Sequence, residues 1–430
     1  MRRVSTDLMN NDMQYWMRRT ERDMATLENQ MARQQKIEKL RDDPLAAARA
    51  VRYDSVVGRL ERYEKNASYA EEQYKVSEGY ARQAVDITQR LREIAVQGAN
   101  GIYAKEDQKY MAAEVDELIA ELVSIGNARG PDGTFLFSGD KSRTEPFRAV
   151  MGTAPGAGRE AIVGVEYSGA PGGPETEISE DSYMPLTQAG SEVFWAEKSQ
   201  IVSGRDARDF RAKEDSTIVV DGHRIDIKTG DTVHAVAAKI NDSGAAVKAS
   251  IDPRRFSLSI TATLPHEIRM EDMPRGTLSA SGGAATAASE GGVLAELGIL
   301  EPGAGGPPGN WKVGAEVSGG SLFDVAIRLR DSLNKGDVLE TGGLALAGLD
   351  AGLDNLNRRV AELGSRTERL QTVQARLNKE VPDATRLLAT EKDLDITKAI
   401  TDFRMLEYAH RASLGFAGKL FPQTLLDFLR

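Results

Sequence analysis

The stretch "PHEIRM" sets His266 beside Glu267, the opening of a zinc-protease helix motif in which two histidines four apart hold the metal and the glutamate acts as base. Met270 stands where the second histidine is required, so the pair is no metal site. The other histidines, His223, His234 and His410, are scattered without ligand spacing. Cysteine is absent, which excludes disulfides, thiolate nucleophiles and cysteine metal sites. "APGAGRE" has glycines but no Lys-Ser/Thr behind them, so it reads as a turn rather than a phosphate loop. Arg18, Arg19 and Arg22 are interleaved with Glu21 and Asp23 and read as a solvated helix face, not a nucleic-acid patch. With so few histidines the sequence offers no convincing Ser-His-Asp triad. The chain is therefore read as no enzyme, with no catalytic residue, no cofactor, no metal and no nucleic-acid partner.

The function must then lie in the elements themselves. The 430 residues allow two or three domains, and 40% hydrophobic with 28% charged residues excludes both a membrane protein and a wholly disordered chain. The opening "MRRVSTDLMNND" lacks the apolar run of a secretory signal, and no segment approaches the roughly 18 apolar residues of a membrane span. A soluble chain without a Sec-type address or a membrane partner is expected. Charge is uneven: net −1 over residues 1–130, −9 over 131–320 and 0 over 321–430. The acidic centre also holds 27 of the 41 glycines and 12 of the 15 prolines, so a turn-rich insertion separates two helical ends.

Met13, Met17, Thr20, Met24, Leu27 and Met31 step by alternating fours and threes, the spacing of a heptad seam. In "LRDDPLAAARA", Asp43 suits an N-cap and Pro44 a first helical residue, so one helix is expected to stop near Leu40 and a second to start at Pro44. That second rod carries the same alternation from Leu60 through Tyr63, Ala67, Ala70, Tyr74, Ser77, Ala81, Ala84, Thr88 and Leu91 to Ala95, and Gly98 and Gly101 can end it. A third follows with Met111, Val115, Leu118, Leu122 and Ile125 on one face. At the far end Leu353, Leu356, Val360, Leu363, Thr367, Leu370, Gln374 and Leu377 keep the spacing up to Pro382, where a kink or restart is expected. A last segment offers Leu394, Ile396, Ile400, Phe403 and Leu406. The simplest partner for each end is the other, with the remaining apolar flank covered by sister chains.

In the centre, "STIVVDGHRIDI" reads as a hairpin turning at Asp221-Gly222. A short helix capped near Asp231 or Thr232 follows, then two alternating strands, which makes residues 216–262 a small hairpin, helix, hairpin unit. "TFLFSG" and "EAIVGVEYSG" read as short strands, and 274–320 as loop. The expected fold class is α+β: a long helical coiled-coil bundle formed by the N- and C-terminal segments, with a β-rich central insertion. Its parts are a helical arm (1–43), a rod (44–130), the β-rich region (131–320) and the C-terminal helices (321–430).

The segments "RRVSTDLM", "RDDPLAAARA", "LREIAVQGANG", "FLFSGDKSRTEPF" and "TLLDFLR" resemble the flagellin superfamily, and the hook-filament junction branch in particular. Residues 216–262 resemble that superfamily's IN module. The resemblance implies a structural axial component of the bacterial flagellum, needed for filament assembly and motility and exported through the flagellar type III apparatus to an external or periplasmic flagellum. The implied partners are its own copies in a ring, the first hook-filament junction protein, flagellin and an export chaperone. Filament flagellin, or a surface-binding module carried by the centre, are the alternatives.

Overall fold

At the corner read from the sequence, Asp43 Oδ1 accepts the backbone N–H groups of Leu45 at 3.1 Å and Ala46 at 3.0 Å, and Pro44 is the first helical residue. These are two of the free amides that any helix start must satisfy. The computed structural model describes residues 6–37, 43–155, 160–273, 292–301 and 310–420. The helix before the corner, α1 (Thr6–Arg33), ends seven residues short of Leu40. Gln34 takes a left-handed φ of 57°, and Gln35 forms an isolated bridge to Asp393, so a tertiary contact ends the helix before the sequence signal does.

After the corner come α2 (Pro44–Ala99) and α3 (Lys105–Gly126). The centre contains β1 (Phe147–Thr153), β2 (Glu160–Tyr167), β3 (Glu175–Ser179), β4 (Ser182–Pro185), α4 (Gly190–Val193), β5 (Gln200–Val202), β6 (Ser216–Val220), β7 (His223–Ile227), α5 (Val233–Asp242), β8 (Val247–Ile251), β9 (Leu258–Ala262), β10 (Met270–Met273), α6 (Val293–Glu296) and β11 (Glu316–Ser318). The chain returns through α7 (Leu322–Lys335), α8 (Val338–Glu340), a π-helical turn (Thr341–Ala345), α9 (Leu346–Lys392) and α10 (Ile396–Leu420). The fold class is α+β, as the sequence indicates.

The chain packs as two compact units, one of residues 1–65 with 373–430 and one of residues 66–372. In the first, α1 packs antiparallel along α10: Lys36 N donates to Lys392 O at 2.8 Å, Leu394 N donates to Gln34 O at 3.1 Å, and Glu21 faces His410 further along. In the second, α2 and α9 run antiparallel, since Glu71 meets Gln371 and Arg92 meets Asp350. The small residues of the α2 seam, Ala67, Ala70, Ala81, Ala84 and Ala95, are all buried, which lets neighbours approach closely. Gly98 belongs to the same logic, because a Cβ there would lie 2.5 Å from Leu333 Cδ2. The helices enclose a cluster in which Phe147 touches Tyr167, Phe194 and Phe323 with ring centroids 4.9–5.3 Å apart.

The hairpin, helix, hairpin reading of 216–262 matches β6, β7, α5, β8 and β9 in order. Asp221 and Gly222 both have positive φ (48° and 82°), as a two-residue hairpin turn of this hand demands. Thr232 is the helix cap, accepting from Ala235 N, while Asp231 pairs with Lys239. The unit is nevertheless not closed within those bounds. Its hairpins lie in different sheets, β10-β6-β7 and β11-β5-β9-β8, so each is completed by strands from outside 216–262.

Three other expectations are corrected. "TFLFSG" forms no strand; Phe135, Leu136 and Phe137 are buried in a loop held by single bridges, because a short apolar run signals burial and not strand. The 274–320 stretch is not all loop, since α6 and β11 lie in it; residues 274–291 and 302–309, with their low-complexity runs, are outside the described residues. Finally, α9 continues through Pro382 without a restart. Pro382 and Asn378, whose carbonyl loses its partner there, are both exposed, so water can satisfy the freed group.

Candidate assembly surface

Helix spacing selects which side chains a two-helix pair buries and which it leaves out. On α1 the seam residues Met13, Met17, Met24, Leu27 and Met31 are all half-buried, while Tyr15 and Trp16 stand outside it. On α10 the inward line is Ala399, Phe403, Leu406, His410 and Ser413. Phe403 and Leu406 are where the sequence put them, but Ile396 and Ile400 are about 44% and 43% exposed. Asp395 starts α10, accepting from Lys398 N at 3.0 Å, next to the bridge at Asp393, and this entry rotates Ala399 inward in place of the two isoleucines. A seam with alanine, histidine and serine beside Phe403 and Leu406 gives no continuous apolar stripe to read.

On α9, Leu356, Leu363 and Leu370 are buried in the second unit and Leu377 in the first, with Leu353 and Val360 half-buried beside the core. Every one of these is covered by its own chain. Among the described residues, the apolar surface left over in the first unit instead includes Trp16 at 58% exposure, Met405, Tyr408 at 71% and Phe416 at 67%, with the two isoleucines and Tyr15, Leu45, Val51, Leu387 and Leu414. The segment "TLLDFLR" lies outside the described residues.

The polar pieces serve as fasteners. Asn355 on α9 is buried, and its Nδ2 donates to the carbonyls of Glu192 and Trp195, both at 2.8 Å, so one amide ties the long helix to the end of α4. Arg330 on α7 is fully buried and pairs with Asp116 at 3.0 Å and Asp331 at 2.7 Å. Asp132, despite desolvation that raises it, is held down at about 2 by the hydroxyls of Tyr69 and Thr134 and the Thr134 amide. His266 and Glu267 also sit in a buried polar cluster rather than at an open cleft. Among the described residues no group of His, Asp and Glu is placed to hold a metal, and no helix is long and apolar enough to cross a membrane.

A pair of helical chain ends around a β-rich insertion defines the class, and two family models fall on its parts. Residues 4–142 match the bacterial flagellin N-terminal helical region, and residues 210–263 match the flagellin hook IN motif. The two matched regions are flagellin-related. The chain is 35% identical to flagellin FlaB1 of Treponema pallidum over 118 residues, 27% of this chain and 41% of that one. To flagellar hook-associated protein 3 of Escherichia coli it is 22% identical over 204 residues, 47% of this chain and 60% of that one. The chain thus spans less than two thirds of these relatives' lengths. A solved hook-associated protein 3 from Legionella pneumophila aligns at 16% identity with a TM-score of 0.44, covering 79% of this chain and 97% of that one.

Proposed function

We propose that this chain is a hook-associated junction subunit of the bacterial flagellum, a structural protein without catalytic activity that joins hook to filament. The observation that carries this is the outer face of the α1–α10 pair: Trp16, Met405, Tyr408 and Phe416 stand in water on helices whose inner seam is already filled. Large aromatic groups of this kind on paired chain ends are the expected cost of a subunit that completes its burial in a polymer. Relatives named hook-associated protein 3 support the junction reading. Its partners are then its own copies in a ring, the first junction protein, flagellin and an export chaperone, and its place is the flagellum, reached by type III export. The seam residues Met13, Met17, Met24, Leu27, Met31, Phe403 and Leu406 hold the pair together, and the outer residues meet neighbouring chains.

The 35% identity to a filament flagellin favours one second reading, the filament subunit itself. Both are tested by adding purified chain to hook ends and following growth by electron microscopy. A junction subunit adds a layer of fixed thickness and stops; a filament subunit elongates without limit. Tyr408→Ser with Phe416→Ser abolishes addition while leaving the circular dichroism spectrum and thermal midpoint unchanged; addition at the wild-type level rules out this surface.

A further inference from the structure

The cluster around His266 has no role in the reading above. His266 is buried, and both of its ring nitrogens meet acceptors: Nε2 lies 3.0 Å from Asp221 Oδ2, and Nδ1 lies 2.9 Å from the carbonyl of Leu264. A neutral imidazole has one N–H and would turn a lone pair toward one of these oxygens; the imidazolium donates to both. Asp221 sits in the β6–β7 turn, and its other carboxylate oxygen accepts from Arg269 N at 2.8 Å. The Arg269 guanidinium pairs with Glu267 at 3.0 Å and donates to the carbonyls of Tyr167 at 2.7 Å, the last residue of β2, and Gly169 at 2.5 Å just beyond it.

We propose that Asp221, His266, Glu267 and Arg269 form a charge-balanced clasp that fastens the β6–β7 hairpin to the 167–195 segment, and that loss of the His266 proton loosens it. With His266 protonated the four groups carry two positive and two negative charges. Deprotonation leaves a buried excess of negative charge, which a low-dielectric site tolerates poorly. The charged groups facing the ring are Asp221 from the hairpin turn and Glu192 from α4, with Glu267 and Arg269 on its own segment; Asp324 of α7 acts on Glu267. Burial lowers the affinity of His266 for its proton, but the Asp221 carboxylate and the Leu264 carbonyl outweigh it, and the net shift is upward from 6.5. A group raised on folding adds stability fully below its unfolded value and loses it as pH climbs through the folded one, so the clasp weakens on the alkaline side.

The structure supplies its own reporter. Trp195 Nε1 donates to Ser199 Oγ at 3.0 Å, and Ser199 Oγ donates to the His266 carbonyl at 2.5 Å. The test uses the full chain with 15N-labelled histidine, the His266 resonances being assigned by their loss in His266→Gln. The titration midpoint should lie above the ordinary 6.5, with both ring nitrogens protonated on its acid side. In a Trp16→Phe, Trp311→Phe background, Trp195 emission should change with that same midpoint. Asp221→Asn, which tolerates the same turn, should weaken proton binding at His266 by about tenfold or more. A wild-type His266 midpoint at or below 6.5 overturns the clasp, as does Trp195 emission that stays constant while His266 titrates; the first outcome is read on the wild-type chain.

Discussion

Gln371 Nε2 donates to Glu71 Oε1 at 3.1 Å, joining α9 to α2 across 300 positions of sequence. Nearby, the guanidinium of Arg366 lies 5.9 Å from the ring centroid of Tyr74, which keeps the same antiparallel order. The helical seams of the second unit are therefore closed within one chain. Substitutions there must act on the subunit before they act on any assembly.

Leu363→Asp makes this distinction measurable. Leu363 is fully buried, and an unpaired carboxylate in its place should cost about 3–5 kcal/mol, the loss typical of uncompensated buried charge. Urea denaturation should show the lower midpoint in the isolated chain, without partners. A midpoint equal to wild type, combined with failed assembly, would mean that the position faces other subunits.

Asn355→Ala removes the donor shared by the Glu192 and Trp195 carbonyls and leaves both buried acceptors without it. A loss of about 1–3 kcal/mol is expected. Because Trp195 reports on the same spot, its emission should redden and its amides should exchange with deuterium faster, whereas the α1–α10 pair should be unaffected. Uniform loosening of the whole chain would contradict the local role.

Asp272 supplies a pH dependence. Burial pushes its carboxyl up to about 6, against the N–H groups of Leu294 and Ala295 that pull it down. The folded value lies above the ordinary 3.8, so its contribution is complete below that pH and is lost as pH rises through about 6. Asp272→Asn keeps an acceptor for one of those amides, which bond to separate oxygens, and removes the charge. Its stability relative to wild type should therefore improve between pH 4 and pH 7, by of order 2–3 kcal/mol, in urea titrations at several pH values. A difference that does not change with pH would contradict the buried, titrating carboxyl.

What could be read beforehand was what short-range chemistry enforces. The three-four spacing placed the α1, α2 and α9 seams, Asp43 and Pro44 placed the start of α2, and Asp221-Gly222 placed a turn with two positive φ angles. Each depends on residues within a helical turn or two of one another, so the sequence alone determines it. On α10, Phe403 and Leu406 lie on the inward line while Ala399, His410 and Ser413, which show no greasy stripe, take its other positions, and α9 has no restart at Pro382, where both it and Asn378 face water.

The tertiary structure decided which partner covers each stripe and where a module closes. The β6–β7 hairpin takes its third strand from β10, and the β8–β9 hairpin its neighbour from β5, neither of which carries any mark of that pairing in its own residues. Likewise Arg330, Asn355 and the His266 cluster look like ordinary polar positions until the chain brings distant acids and carbonyls within hydrogen-bonding reach. Local periodicity specifies that a surface must be buried; only the closing of long loops, at an entropy cost no short window records, specifies against what.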